Sequence, residues 1–373
     1  MEAPQQNNRT PRAAMRQRHW LVALPLQLGV WGLFAYTVVL SGLSLAWALM
    51  EHGIYGPWWI GFSDIFALYL FLPLPLLLLL SIFSQAWPLR SAAGVMLFLF
   101  VLQFGSTLLP PAATPATTGQ ALRVASLNHL YSNRRIDDIL AKVEESQADI
   151  IAFQELSIPV AEALETRLSE RYPYQYLLPS PRSYGLGIIS RYPIIKRGPL
   201  TAVSSQRVVV DVAGTAVTVM NVHLPSPRVS YQQIARRVFW VNNYDPDRRD
   251  RVEPLLLRSI DTIGGPLVVL GDFNTAEREA LYSKLAERMT DSYRATHWGF
   301  GATFPTFGRG YRNTPPLVRI DYVWSRDGIT PAAAWINCRY IGSDHCMVGA
   351  DLLINKSAAD TDQTKPEGRW LPW

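Results

Sequence analysis

Charge is what the first third of this sequence lacks. From Trp20 to Pro110 the only charged residues are Glu51, Asp64 and Arg90. Such a stretch is too apolar for a soluble core, and it divides into three runs: Trp20–Met50, Ile65–Trp87 and Ser91–Leu109. About 20 apolar residues cross a bilayer as a helix, so each run is read as a transmembrane span. Ala46-Trp47-Ala48 has the form of a signal cleavage site. The apolar run before it is too long for a signal peptide, and two more runs follow. Pro73 and Pro75 interrupt the second run, a break that neighbouring membrane helices tolerate. Trp58 and Trp59 stand before it, where an aromatic belt is expected.

Cysteine is nearly missing. Cys338 and Cys346 are the only two, which excludes a disulfide framework. No Cys or His pair has zinc-ligand spacing, so a structural zinc site is not expected. The favoured reading of the two cysteines is a pair of buried thiols; a bridge stays open if they lie outside the cytoplasm. A basic excess is missing as well. Residues 121–354 carry 27 Lys plus Arg against 24 Asp plus Glu. A dedicated nucleic-acid binder usually shows a strongly basic face, and this near balance argues against one.

Basic residues set the expected orientation. Arg9, Arg12, Arg16 and Arg18 precede the first span, the loop from Glu51 to Asp64 has no Lys or Arg, and Arg90 follows the second span. Three spans then leave the N-terminus in the cytoplasm and everything after Pro110 outside. The chain thus reads as a basic cytoplasmic N-terminus (1–19), a three-helix membrane domain (20–109), a Pro/Thr linker (110–120), a catalytic domain (121–354) and a polar tail (355–373).

After the linker, strand-like and helix-like segments alternate. Strands are expected at Arg123–Asn128, Asp149–Phe153, Gly185–Ile189, Gln206–Val212, Val217–Val222, Pro266–Leu270, Ile320–Trp324, Ala334–Arg339 and Met347–Ile354. Ile136, Ile139, Leu140 and Val143 recur at helical spacing within Arg134–Gln147. Pro159–Glu170 and Glu277–Met289 are further helix candidates, and Tyr231–Ile263 is an Arg-rich stretch of helical character. Adjacent strand pairs with intervening helices point to an α/β (α+β) fold, a two-sheet β-sandwich flanked by helices.

Polar residues stand where these strands end: Asn128, Glu155, His223, Asp272, Asn274, Asp321, Asp344 and His345. Loops from one sheet edge can bring such residues together. The set suits phosphoester hydrolysis. Mg²⁺ takes carboxylate and carbonyl oxygens plus waters. An Asp orients the attacking water, while Asn and His donate to the phosphoryl oxygens.

The order Leu-Asn128, Gln-Glu155, Asn-Val-His223, Gly-Asp272-Phe-Asn274, Arg-Ile-Asp321-Tyr and Ser-Asp344-His345 resembles the signature of the endonuclease/exonuclease/phosphatase (DNase I-like) superfamily. The resemblance covers Leu122 to Ile354. It implies metal ligation by Glu155, with Asn128 and Asp344 assisting, and Mg²⁺ or Mn²⁺ as cofactor. It implies that Asp272 orients or deprotonates water, that Asn274 and His345 contact the phosphate, and that Asp321 fixes the His345 ring. His223 stands where DNase-like members place a histidine and abasic endonucleases tend to place a tyrosine. With its membrane part, the plan is similar to that of bacterial teicoplanin-resistance membrane proteins. The expected function is a multi-pass cell-membrane hydrolase acting outside on a lipid-linked phosphate, pyrophosphate or phosphodiester. The alternative is an extracytoplasmic nuclease; a non-enzymatic membrane sensor is disfavoured because no signature position is lost.

Two clusters lie between these positions. Arg228, Arg236, Arg237, Arg248, Arg249 and Arg251 interleave with Asp245, Asp247 and Asp250, and read as a solvated, self-paired surface. Trp298, Phe300, Phe304, Phe307 and Tyr311 read as core packing, a structured loop or an apolar rim for a lipid substrate.

Overall fold

The structure, a computed structural model, describes residues 11–109, 111, 118–198, 205–236, 238–306 and 315–355. Most of the linker, the tail after 355, Arg237, Phe307 and Tyr311 lie outside the described residues. The chain divides into two units, one of Met1–Ile60 with Phe66–Ser106, the other of Gly61–Ile65 with Thr107–Trp373.

The apolar region forms α1 (Pro11–Glu51), α2 (Trp58–Ile65), α3 (Ala67–Leu70), α4 (Leu74–Phe83) and α5 (Trp87–Leu108). Gln27–Glu51 and Trp87–Leu108 are long and apolar enough to cross a membrane. Trp31, Val38, Val39, Phe98 and Leu102 point outward from them, as lipid-facing side chains do. The expected second span differs. Trp58–Ile65 and Ala67–Phe83 are bent by 83° and amount to a third span only if the bent pair crosses as one. That bend falls at Phe66, between α2 and α3; Pro73 ends the later turn before α4, and Pro75 lies in the first turn of α4, where proline is tolerated.

Two six-stranded sheets and a separate two-stranded one make the strand-rich part after Gly119. The first comprises β1 (Gln120–Asn128), β2 (Ile150–Gln154), β3 (Tyr174–Leu178), β4 (Leu186–Ser190), β13 (Ile329–Asn337) and β14 (Met347–Ile354), in the order β13-β14-β1-β2-β4-β3. The second comprises β5 (Ile194–Arg197), β6 (Ser205–Val212), β7 (Thr215–His223), β10 (Leu267–Asp272), β11 (Thr290–Asp291) and β12 (Asp321–Arg326), in the order β11-β12-β10-β7-β6-β5. Successive side chains on a strand face opposite ways, and the sequence uses both faces. Val124, Ile150 and Ile188 of the first sheet meet Val208, Val219 and Val268 of the second to form the sandwich core. Their chain neighbours Ala125, Ile151 and Ile189 face outward under α6 (Ile136–Ser146) and α7 (Ile158–Arg167). On the far side Met220, Val269 and Phe273 pack under α8 (Asp247–Asp261) and α9 (Ala280–Ala286). The last helix, α10 (Ser292–Thr296), is capped by Asp291, whose side chain accepts from the Tyr293 and Arg294 amides.

One expectation fails within Tyr231–Ile263. Its first half is a hairpin, β8 (Arg228–Ala235) with β9 (Val238–Asp245), paired among the described residues with no other strand; α8 begins after Pro246. The alternation of Val229, Tyr231 and Val241 with polar residues suits a strand, and proline is well placed at a helix start. The reading of two buried thiols fails as well. Asn337 pairs with Met347 across the β13–β14 hairpin, so the next residues out, Cys338 and Cys346, face each other and form a disulfide.

Candidate active site

Strand direction explains why the strand-end residues meet. β1 and β2 are parallel neighbours, so Asn128 and Gln154 end side by side. β7 and β10 are parallel neighbours in the other sheet, which puts His223 beside Asp272. β12 runs antiparallel to β10 and starts where β10 ends, so Asp321 pairs with Asp272. His223, Asp272 and Asp321 thus form a row across three strands. His345 joins them from the loop that enters β14.

Asp272 is the hub and is fully buried. Its Oδ1 accepts from the Asn274 amide at 2.8 Å. Its Oδ2 accepts from Asn128 Nδ2 at 3.0 Å, across the two sheets, and from Asn274 Nδ2 at 3.2 Å. The same Oδ2 lies 3.7 Å from His223 Nε2 and 3.7 Å from His345 Nε2. Both distances exceed a direct hydrogen bond and suit one bridging atom. On its other side the His345 ring meets Asp321, with Nδ1 3.0 Å from Oδ2. Thr303 Oγ1 donates to Asp321 Oδ2 at 2.7 Å, and the Phe304 ring tilts against the His345 ring at 4.8 Å.

Electrostatics follow from this packing. Burial works against the His345 imidazolium, but Asp321 and Asp272 outweigh it and push its pKa up to about 10. Burial also raises the pKa of Asp272, while His345 and His223 act in the opposite sense.

Two of the positive-φ residues belong to the same region; Gln147, Ala213 and Asp327 hold such values at ordinary turns elsewhere. Asn274 and Glu155 hold φ values of +47° and +56°, a region that non-glycine residues seldom occupy and that clusters at functional sites. Asn274 is clamped there: its Nδ2 donates to Leu224 O at 2.9 Å, and Arg249 Nη1 donates to its carbonyl at 2.8 Å. Arg249 is buried and paired with Glu279 at 2.8 Å, which corrects its reading as a solvated surface residue. Arg228 does pair with Asp245 on the surface, at 3.6 Å.

Glu155 is half-buried after β2, and its Oε2 accepts from the Tyr131 amide at 3.0 Å. Asn128 Oδ1 accepts from the Leu130 amide. Among the described residues, Asp272, Asp321 and His345 place ligand atoms within 4.8 Å of one another. Glu155 and Asp344 stand outside that group. The donors here are carboxylate and amide oxygens with imidazole, a set that fits a hard divalent cation.

Sequence reasoning missed four supports: Thr303, Phe304's place against His345, the Arg249 clamp, and a buried amide pair that links the sheets. In that pair Gln154 Nε2 donates to Asn221 Oδ1 at 2.7 Å, and Asn221 Nδ2 donates to Phe153 O at 2.9 Å. Gln154 and Asn221, amides within mostly apolar strands, were the visible signals.

A comparison with curated proteins gives no match. Among solved structures, the chain is similar to D. rerio TDP2 complexed with a single-stranded DNA product (17% identity, TM-score 0.47, covering 62% of this chain and 98% of that one). It is also similar to a mannosyl-6-phosphatase of Bacteroides thetaiotaomicron VPI-5482 (18% identity, TM-score 0.47, 62% and 100% coverage). A third is a conserved protein of unknown function from Enterococcus faecalis (16% identity, TM-score 0.48, 63% and 100% coverage). The sequence model of the Endonuclease/Exonuclease/phosphatase family matches residues 125–345, more than half of the chain, and the chain belongs to that family.

Proposed function

We propose that this chain is a membrane-anchored, Mg²⁺-dependent phosphoester hydrolase that acts outside the membrane on a lipid-linked phosphate, pyrophosphate or phosphodiester. The observation that carries the chemistry is the position of Asp272 Oδ2, 3.7 Å from the Nε2 atoms of both His223 and His345. A carboxylate between two imidazoles can take a proton from water on one side while the rings donate to phosphoryl oxygens on the other. Asn128 and Asn274 fix that carboxylate through direct hydrogen bonds. Asp321 holds the His345 ring through Nδ1, which leaves Nε2–H free to face the substrate. Glu155, Asn128 and Asp344 would hold the cation, and a bound Mg²⁺ would neutralise charge developing on the phosphoryl group. The lipid substrate class is supported by helices long and apolar enough to keep the domain at a bilayer.

Purified full-length protein should hydrolyse a polyprenyl pyrophosphate or a phospholipid in the presence of Mg²⁺, lose turnover in EDTA and regain it when Mg²⁺ is restored. Full activity in chelator, or rescue by Zn²⁺ alone, would sink the cofactor assignment. Cleavage of DNA in preference to every lipid would replace the substrate class.

A further inference from the structure

We propose that the Cys338–Cys346 disulfide is a positioning element of the active site, holding the loop that delivers His345, so that turnover requires the bond closed. The inference rests on the reading of His345 as a catalytic group. The bond spans eight positions and closes the loop between β13 and β14. Ser343, Asp344 and His345 lie inside it. Cys346 is the residue after His345, so the bridge anchors the backbone one residue from the one that carries the imidazole.

Both ends of the loop's work meet at Ser343. Its hydroxyl donates to Asn128 O at 2.6 Å and accepts from the His345 amide at 3.0 Å. One side chain thus links the strand end carrying Asn128 to the backbone carrying His345. The outer arc has other holds: Lys142 Nζ donates to Arg339 O at 2.7 Å, and Asn133 Nδ2 donates to Ile341 O at 3.1 Å. Residues 338–346 form no helix or strand; their inner end is tied to residues 303–306, where Thr306 N–H donates to Asp344 O at 2.6 Å, Thr306 Oγ1 to Ser343 O at 2.8 Å and Cys346 N–H to Thr303 O at 2.9 Å. A covalent link removes the freedom of an open loop where single hydrogen bonds only bias it. His345 needs that precision: Nδ1 must stay on Asp321 while Nε2 stays 3.7 Å from Asp272. Displacing a catalytic group by about 1 Å costs up to about a hundredfold in rate.

The bond is also reachable. Cys346 is fully buried, but Cys338 is exposed. A dithiol can attack there: its two thiols are oxidised to a disulfide, and Cys338–Cys346 takes up two electrons and two protons to become two thiols.

The test uses the full-length protein in detergent with Mg²⁺ and bis(p-nitrophenyl) phosphate. Wild type is assayed oxidised, after dithiothreitol, and after reoxidation by oxidised glutathione, beside a Cys338→Ser/Cys346→Ser double variant. Thiol titration reports whether the bond is open, a thermal melt reports folding, and amide hydrogen exchange follows residues 339–346. Opening should lower kcat about tenfold or more with little change in KM, and should speed exchange in 339–346 but not in 267–272. Glutathione should restore the wild type and leave the double variant low. Open thiols with unchanged kcat and unchanged exchange would overturn the proposal. So would a fall in activity that only tracks loss of folded protein. If oxidised protein hydrolyses nothing, the phosphoester reading fails by itself, and exchange in 339–346 then decides whether the bond orders the loop.

Discussion

Asp272 and His345 are buried yet need not carry the fold, because each ends a strand or a loop rather than sitting among the sandwich side chains. Asp272→Asn keeps the acceptor for the Asn274 amide and removes the negative charge between the imidazoles. His345→Ala removes the raised-pKa donor. Each should lower kcat by about a hundredfold or more, the scale of losing a positioned acid, base or oxyanion donor. Circular dichroism should stay close to wild type, with a lower melting point for Asp272→Asn, whose new amide meets the Asn128 and Asn274 Nδ2 donors; near wild-type kcat in either variant would show that the catalytic set is wrongly drawn. Lys142 makes a different test. Burial, with Arg339 nearby, lowers its pKa to about 8 from 10.5. Below pH 8 the folded and unfolded chains both hold the proton, and the fold bears the full cost of the buried charge. Between pH 8 and 10.5 the unfolded chain binds more protons, so stability rises with pH. Two and a half pKa units amount to about 3 kcal/mol. Unfolding free energies of wild type and Lys142→Met, compared at pH 7 and pH 10.5, should show wild type gaining about that much on the variant. A difference that stays constant with pH would refute the assignment.

At the scale of the strand, β10 depends on a residue without a side chain. Gly271 has φ +146°, and a Cβ there would fall 1.9 Å from Val222 O on β7. Gly271→Ala must therefore push apart the parallel strands that carry His223 and Asp272. It should cost about 2–4 kcal/mol, as buried backbone clashes do, and lower kcat of the protein that still folds. Chemical denaturation and steady-state kinetics on one preparation check both, and an unperturbed midpoint would contradict the contact. Central strands such as β1, β2, β7 and β10 were legible because mostly apolar runs ended in a polar residue. The same pattern made Asn128, His223, Asp272 and Asn274 visible. The edge strands β3 and β5 were not, being short and half-exposed with little apolar signal. The β8–β9 hairpin was masked by its arginines, and β8 is exposed along its whole length, so no buried face marks its period. Thr303, Phe304 and Arg249 act through folded contacts that spacing in sequence does not encode. The disulfide was hidden for a related reason: only the pairing of Asn337 with Met347 shows that Cys338 and Cys346 face each other.

For the molecule as a whole, the question is the side of the membrane on which the site works, and it turns on parity. Gln27–Glu51 and Trp87–Leu108 are two spans by length and composition. If the bent pair Trp58–Ile65 and Ala67–Phe83 crosses as well, three spans carry the chain out; if it re-enters, two spans bring the domain back to the starting side. The arginines before the first span and their absence from Glu51 to Asp64 favour a cytoplasmic N-terminus. The disulfide adds a separate argument, since such bonds persist outside the reducing cytoplasm. Together they predict that the bent pair crosses and that the catalytic domain is external, where it meets lipid carriers and foreign nucleic acid rather than the chromosome. A reporter fused after Ile354 reads this directly in a bacterial host. Alkaline phosphatase should be active there and green fluorescent protein dark. The reverse pattern would make the bent pair re-entrant, place the cysteines in a reducing compartment, and bring intracellular phosphoesters forward as substrates.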